Sequence, residues 1–383
     1  MGGGNVVAAP ERGYRVAEIV VARLVMSCRP EGERMKVRFG VSVLSGTAFP
    51  HRRDLEKFAE LVRIIDGSGV ELIGTNDTSF IGGDAYVRAT LIAQTAANAQ
   101  VGIHPTNPLT REPQIMAAFL GSIDAMTEGR AFLDIGSGDS AVYNIGLTPA
   151  SRARMADYIT CVRDLIATGE GTYDGRPQRV RWHGEAVRQR IPITLCAEGP
   201  KTLHLGGRIC DGVIAGTGLL PEVISDTIER VAAGATAAGR DPSEVEVWFT
   251  TRSSLDADRD KAIERIHASV SSILNHSMRF GLEGKNVPSQ FRAKIAEYVE
   301  GYELYDHVLQ AGRNPKRMAE LGLTGYGLDR FALAGNVNDW IGRIGELAEL
   351  GASRLWLSTE AGDLDRQIHY MRVFTERIMP HFR

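Results

Sequence analysis

The sequence predicts a (β/α)8 TIM barrel that carries an insertion between its seventh and eighth strands. Three observations support this. Short β-rich runs alternate with apolar residues at helical spacing, a pattern that gives a parallel sheet with crossover helices. There are eight such runs, the number that closes a barrel. The first run leads into Ser45-Gly46-Thr47-Ala48-Phe49-Pro50. An open doubly wound sheet would place a G-x-G-x-x-G phosphate loop there.

The runs are Val37 to Val43, Val70 to Gly74, Gln100 to His104, Phe132 to Gly136, Ile193 to Ala197, Val213 to Ala215, Val245 to Thr251 and Arg354 to Ser358. Between them lie helical stripes such as Leu55, Phe58, Val62 and Ile65, then Ile224, Ile228, Val231 and Ala235, then Ile341, Ile344 and Ala348. Proline marks helix starts at Pro113, Pro149, Pro200 and Pro221, because its missing N–H costs nothing in a first turn. Gly67, Gly69, Gly129 and Gly351 stand where helices stop before strands. The long stretch from Thr251 to Arg354 is the insertion, with a helical segment near Phe291 to Gly301. Loops at strand C-termini build the site in a barrel, so this segment is expected to shape a substrate pocket.

Residues 1–34 read as a nonessential extension and residues 35–383 as the barrel domain. Glu18 and Arg23 interrupt the apolar run Val16 to Met26, which argues against a secretory signal. No apolar run reaches the ~20 residues of a membrane span. A net charge of −3, with Lys and Arg spread along the chain, leaves no footprint for nucleic acid. Cys28, Cys161, Cys196 and Cys210 have neither C-x-x-C nor zinc spacing. They read as thiols in a reducing, cytoplasmic compartment, with no metal site.

Four strand ends carry candidate chemistry. After the fifth strand, Gly199 lets backbone approach an anion and Pro200 opens a helix whose free N–H groups and dipole favour phosphate. Lys201 adds positive charge there; ordinary helix capping is the bland alternative. After the third strand, Pro105, Pro108 and Pro113 stiffen the loop, and His104-Pro105 is a candidate cis bond. Thr106 and Asn107 offer donors and acceptors able to read the polar edge of a flat ring. After the fourth, Gly136 and Ser137 leave room for a ring or a sugar-like chain, while Asp139 either contacts that chain or caps the next turn. After the second, Asp77 points to the mouth as a candidate proton carrier or sits in an Asx turn.

Together these blocks resemble the luciferase-like monooxygenase superfamily, and most of all its deazaflavin-dependent methylenetetrahydromethanopterin reductase branch. The matching segments are Thr106 to Pro113, Gly129 to Asp139, Ala197 to Lys201 with Asp211 to Val213, and more weakly Phe331 to Gly335. The resemblance implies a homodimeric barrel with the cofactor phosphate near Gly199, Pro200 and Lys201. Gly216 and Thr217 would complete that cradle, and a cis peptide at the end of strand three would lie behind the ring. Two departures stand out. The family's Asp-His pair after strand two reads Asp77-Thr78 here. Glu198 replaces an uncharged residue, and repulsion from a phosphate implies that its side chain turns away. The expected activity is hydride transfer between coenzyme F420 and a small organic substrate. The alternatives are a two-component monooxygenase using FMNH2 from a separate flavin reductase with O2, and a non-catalytic flavin-binding protein.

Overall fold

The computed structural model describes residues 36–44, 49–358 and 363–383. The expected N-terminal extension lies outside them, as do Ser45 to Ala48. The strands are β1 (Arg38–Ser42), β2 (Leu72–Thr75), β3 (Gln100–Thr106), β4 (Ala131–Ile135), β5 (Glu170–Tyr173), β6 (Arg176–Arg179), β7 (Ile193–Ala197), β8 (Gly212–Ala215), β9 (Glu246–Leu255), β10 (Ala332–Gly335) and β11 (Arg354–Ser358). Eight of them, β1, β2, β3, β4, β7, β8, β9 and β11, pair in parallel around a closed barrel. They coincide with the eight runs read from the sequence.

Residues that alternate along these strands face two different cores. Outward-facing Val41, Ile73, Ile103, Leu133, Leu195, Val213 and Leu357 pack under the helices. Inward-facing Leu72, Phe132, Ile214, Trp248 and Trp356 fill the barrel. Gly40 and Gly74 make room for the Trp356 ring, which a Cβ at either place would strike. At the N-terminal end of the strands, Arg38 pairs with both Glu71 and Glu246, and Arg354 Nε stands 3.5 Å from Glu246.

Proline opens the helices Pro113–Met126, Pro200–Ile209 and Pro221–Ala237 as expected. The start expected at Pro149 falls instead at Arg152, because the Ser151 hydroxyl caps that helix by accepting from the Arg154 N–H at 3.1 Å. Two features were not expected. Asp174 and Gly175, both at positive φ, turn β5 into β6 as an antiparallel hairpin outside the barrel. β10 adds to the far half of the ten-residue β9, pairing Ala332–Gly335 with residues 252–255 while β11 takes the near half.

The insertion lies between β9 and β11 and has its own core. Ile266, Val270, Ile273 and Leu274 of the helix Arg259–Met278 meet Ile295, Tyr298, Met318 and Leu323. Among the described residues no helix is long and apolar enough to cross a membrane, and no group of three His, Cys, Asp or Glu residues is placed to hold a metal ion. Cys161, Cys196 and Cys210 are free thiols.

Candidate functional site

The C-terminal mouth is built from the ends of β2, β3, β4, β7, β8 and β9. At β3 the His104–Pro105 peptide is cis. The buried His104 ring stacks on Trp356 with centroids 3.7 Å apart, and its Nδ1 lies 2.7 Å from Asp134 Oδ2. Asp134, fully buried, also accepts from the Thr194 hydroxyl. A floor of stacked rings therefore lies beneath the mouth, with its polar atoms paired inside the barrel.

Thr106 and Asn107, which follow on β3 and its loop, are buried, and their polar groups are paired locally. The Tyr86 and Thr106 hydroxyls reach Asp77 Oδ2 at 3.0 and 2.8 Å. The Asp77 carboxylate thus lies between the end of β3 and the first turn of the helix Ala85–Thr95. It borders an open cleft of about 440 Å³ lined also by Phe49, Phe80, Ile81 and Arg111. The Arg111 guanidinium lies 3.3 Å over the Tyr86 ring. Asn107 Oδ1 accepts from the Leu109 and Thr110 N–H groups at 3.0 and 3.1 Å, so its carbonyl is committed to the turn.

At the end of β4, buried Gly136 donates its N–H to Thr106 O at 2.9 Å, and Ser137 O accepts from Ala150 N at 2.7 Å. The next carboxylate is not a cap. The Asp139 side chain makes no bond to the short helix Ser140–Tyr143, which holds only its main-chain oxygen, through the Val142 and Tyr143 N–H groups at 2.9 Å. It reaches across the mouth to His276 Nδ1, at 2.6 Å, and to Arg279. Glu198, after β7, does not turn away. It lies so close over Gly216 that a Cβ there would collide with its carboxylate, and its Oε1 stands 3.1 Å from His276 Nε2. His276 thus bridges two carboxylates from two strand ends.

The electrostatics follow from that bridge. Burial disfavours a charged imidazole, but the Glu198 and Asp139 carboxylates override it and raise His276 to about 9. Burial likewise opposes the Asp139 charge, and the His276 and Arg279 cations hold its carboxyl well below the usual range. Burial lowers His307 to about 4, leaving a neutral ring that meets the Tyr302 hydroxyl at 2.8 Å. Burial also depresses Lys285 and Arg252, against the pull of Glu198.

Where an anion cradle is expected after β7, the structure has a niche lined by Glu198, Gly199, Pro200 and Thr217. An added Cβ on Gly199 would meet nothing closer than Lys285 Cε at 3.7 Å, so the backbone there is open to approach. Gly216 and Thr217 are buried against it. Lys201 is exposed and does not line the niche; its place is taken by Lys285 from the insertion. Gly284, Lys285 and Asn286 roof the niche and leave about 10 Å³, roughly one water. Arg330 staples that roof down. It donates to Thr217 O on one side at 2.9 Å and to Lys285 O and Asn286 O on the other at 2.7 and 3.2 Å.

Sequence reasoning missed His276, Arg279, Lys285 and Arg330, all contributed by the insertion. A signal existed: the helix Arg259–Met278 buries Ser271, Ser272, Asn275 and Ser277, polar residues where a plain packing helix would be apolar.

Comparison with known proteins agrees with this fold. The luciferase-like monooxygenase model matches residues 36–354. The 5,10-methylenetetrahydromethanopterin reductase of Methanolobus tindarius is 27% identical over 313 residues, covering 80% of this chain and 91% of its own. The solved coenzyme F420-dependent tetrahydromethanopterin reductase from Methanopyrus kandleri superposes with a TM-score of 0.69 at 22% identity, over 91% of this chain and all of that one. An F420-dependent secondary alcohol dehydrogenase, solved with an F420–acetone adduct, gives the same TM-score at 19% identity, over 91% of this chain and all of its own. A barrel with this mouth, matched by the family model over most of its length, belongs to the luciferase-like monooxygenase family.

Proposed function

We propose that the chain is an F420-dependent oxidoreductase that moves a hydride between the deazaflavin and a small organic substrate. The observation that carries this reading is the niche at Gly199, Pro200 and Thr217, an anion site at the C-terminal mouth of the barrel. It is supported by relatives named for F420-dependent reduction and dehydrogenation.

The residues fit such a group. The Lys201 N–H in the first turn of the helix Pro200–Ile209 would hold the anionic tail, since Pro200 has none and those of Thr202 and Leu203 donate to Gly199 O, with Thr217 opposite and Lys285 overhead. The roof must lift for a phosphate to enter, since the present space takes only about one water. Gly136 leaves the wall between β4 and β7 flat, with no side chain between it and Cys196. The His104–Trp356 stack closes the barrel beneath. When bound, F420 supplies the hydride donor or acceptor, and the protein supplies orientation and electrostatics. Thr106, Asn107 and Ser137 remain our candidates for contact with the ring edge, and Asp77, in the outer cleft with Tyr86, for the proton that accompanies the hydride.

The test is a titration of the protein with F420 and with reduced FMN, followed by absorbance, then anaerobic turnover over a panel of alcohols and carbonyl compounds. F420 binding with oxygen-independent hydride exchange is expected. Binding of reduced FMN alone, with O2 uptake on adding substrate, would identify a two-component monooxygenase instead.

A further inference from the structure

Glu198 presents a difficulty for any anion site. It lines the niche beside Gly199 and Thr217, and a carboxylate repels a phosphate. Its contact with Gly216 shows that it has not swung aside. Its Oε1 meets His276 Nε2, while its Oε2 is buried without a partner among the described residues. Resting on the F420 reading, we propose that His276 is the charge that lets the niche accept an anion beside Glu198, so that binding of the cofactor's phosphate, and not of its ring, depends on one proton at His276.

The two carboxylates are not equally protected. Asp139 has His276 on one oxygen and Arg279 on the other. Among the described residues Glu198 has His276 alone within ion-pair distance. Loss of the proton therefore leaves Asp139 covered and Glu198 bare beside the niche. The surrounding charges come from every neighbouring element. Asp139 follows β4, Glu198 follows β7 and Arg252 lies on β9. Arg279 ends the helix of His276, and Lys285, Tyr302 and His307 belong to the rest of the insertion. Lys285 donates to Ser277 O at 2.5 Å, and His307 stays neutral. With His276 raised to about 9, its proton is present at neutral pH and leaves in mild alkali.

The experiment compares two probes, F420 and the same deazaflavin with its ribityl chain but no phosphate, by fluorescence titration from pH 7.5 to 10. F420 affinity should fall roughly tenfold as one nearby positive charge is lost, while the phosphate-free probe stays level. His276→Gln should weaken F420 at pH 7.5 to the wild-type value at pH 10, and spare the other probe. Glu198→Gln should flatten the F420 profile and bind more tightly than wild type at pH 10. The double variant should match Glu198→Gln, because without the carboxylate there is nothing left to neutralise. A level wild-type F420 profile overturns the proposal, as does equal weakening of both probes by His276→Gln. Persistence of the pH dependence in Glu198→Gln also overturns it, and would move the titrating group to Lys285. If F420 binds at no pH, it is the cofactor reading that fails.

Discussion

Among the described residues the barrel holds a half-buried cluster of charge at its N-terminal end and a more deeply buried one at its mouth, and they are built differently. At the N-terminal end Arg38 and Arg354 meet Glu71 and Glu246, two positive charges against two negative, from residues on or beside the strands. At the mouth Arg252, Arg279, Lys285 and the His276 imidazolium face Asp139 and Glu198, four against two. Those charges come from strand ends and from the insertion. The first cluster balances itself and closes the barrel. The second carries a positive surplus, and Glu198 Oε2, Arg252 Nε and Arg279 Nε are buried without partners among the described residues. A surplus with open valences is what an anionic ligand completes, whereas a balanced set has no use for one.

Substitutions can test that contrast. The largest effect should come from Asp139→Asn, which leaves His276 and Arg279 facing no carboxylate on that side and should cost on the order of 3–5 kcal/mol in urea unfolding, together with cofactor affinity. Its counterpart Glu71→Gln should cost about 1–3 kcal/mol and leave cofactor affinity alone. If Glu71→Gln weakened F420 as much as Asp139→Asn did, the two ends would not be distinct. Next, Gly199→Leu should weaken both F420 and FMN on the order of a hundredfold by blocking the backbone donor, in a variant that still unfolds cooperatively. Unchanged affinity in a folded protein would remove the niche from the argument.

A smaller effect is expected from pH. The folded-state value of His276 is raised from 6.5 to about 9, so its contribution to stability is complete below 6.5 and is lost as pH rises through about 9. Thermal unfolding from pH 6.5 to 9.5 should show Tm falling in wild type and more nearly level in His276→Gln. Smallest of all, Tyr86→Phe removes one hydroxyl from Asp77 and should cost about 1 kcal/mol. If Asp77 handles a proton, the same change should shift the pH profile of kcat and leave the F420 affinity unchanged.

The barrel was legible in the sequence because each strand is buried on both faces and reads as a compact β-rich run. The turn beside the niche was legible too, since Gly199 and Pro200 announce a strand-to-helix turn. The hairpin β5–β6 had a readable signal in Asp174-Gly175 that was passed over. What could not be read was the other half of the mouth. His276 meets Asp139 across 137 positions of chain, and no local periodicity encodes so distant a contact. Asp139 itself stands where a cap belongs, and only the tertiary structure shows its carboxylate drawn elsewhere. Glu198 was judged from repulsion alone, without the imidazolium that offsets it.

Across the niche, Arg330 donates to the Tyr326 hydroxyl and to the main-chain oxygens of Thr217, Lys285 and Asn286, so its hold on the covering segment runs through main chain. Side chains on the covering segment can therefore be exchanged without undoing the latch, because every residue type brings the same carbonyl. What the chamber accepts and whether it shuts are written in different residues. New ligand preferences can arise at positions 285 and 286 while one guanidinium goes on holding the cover in place.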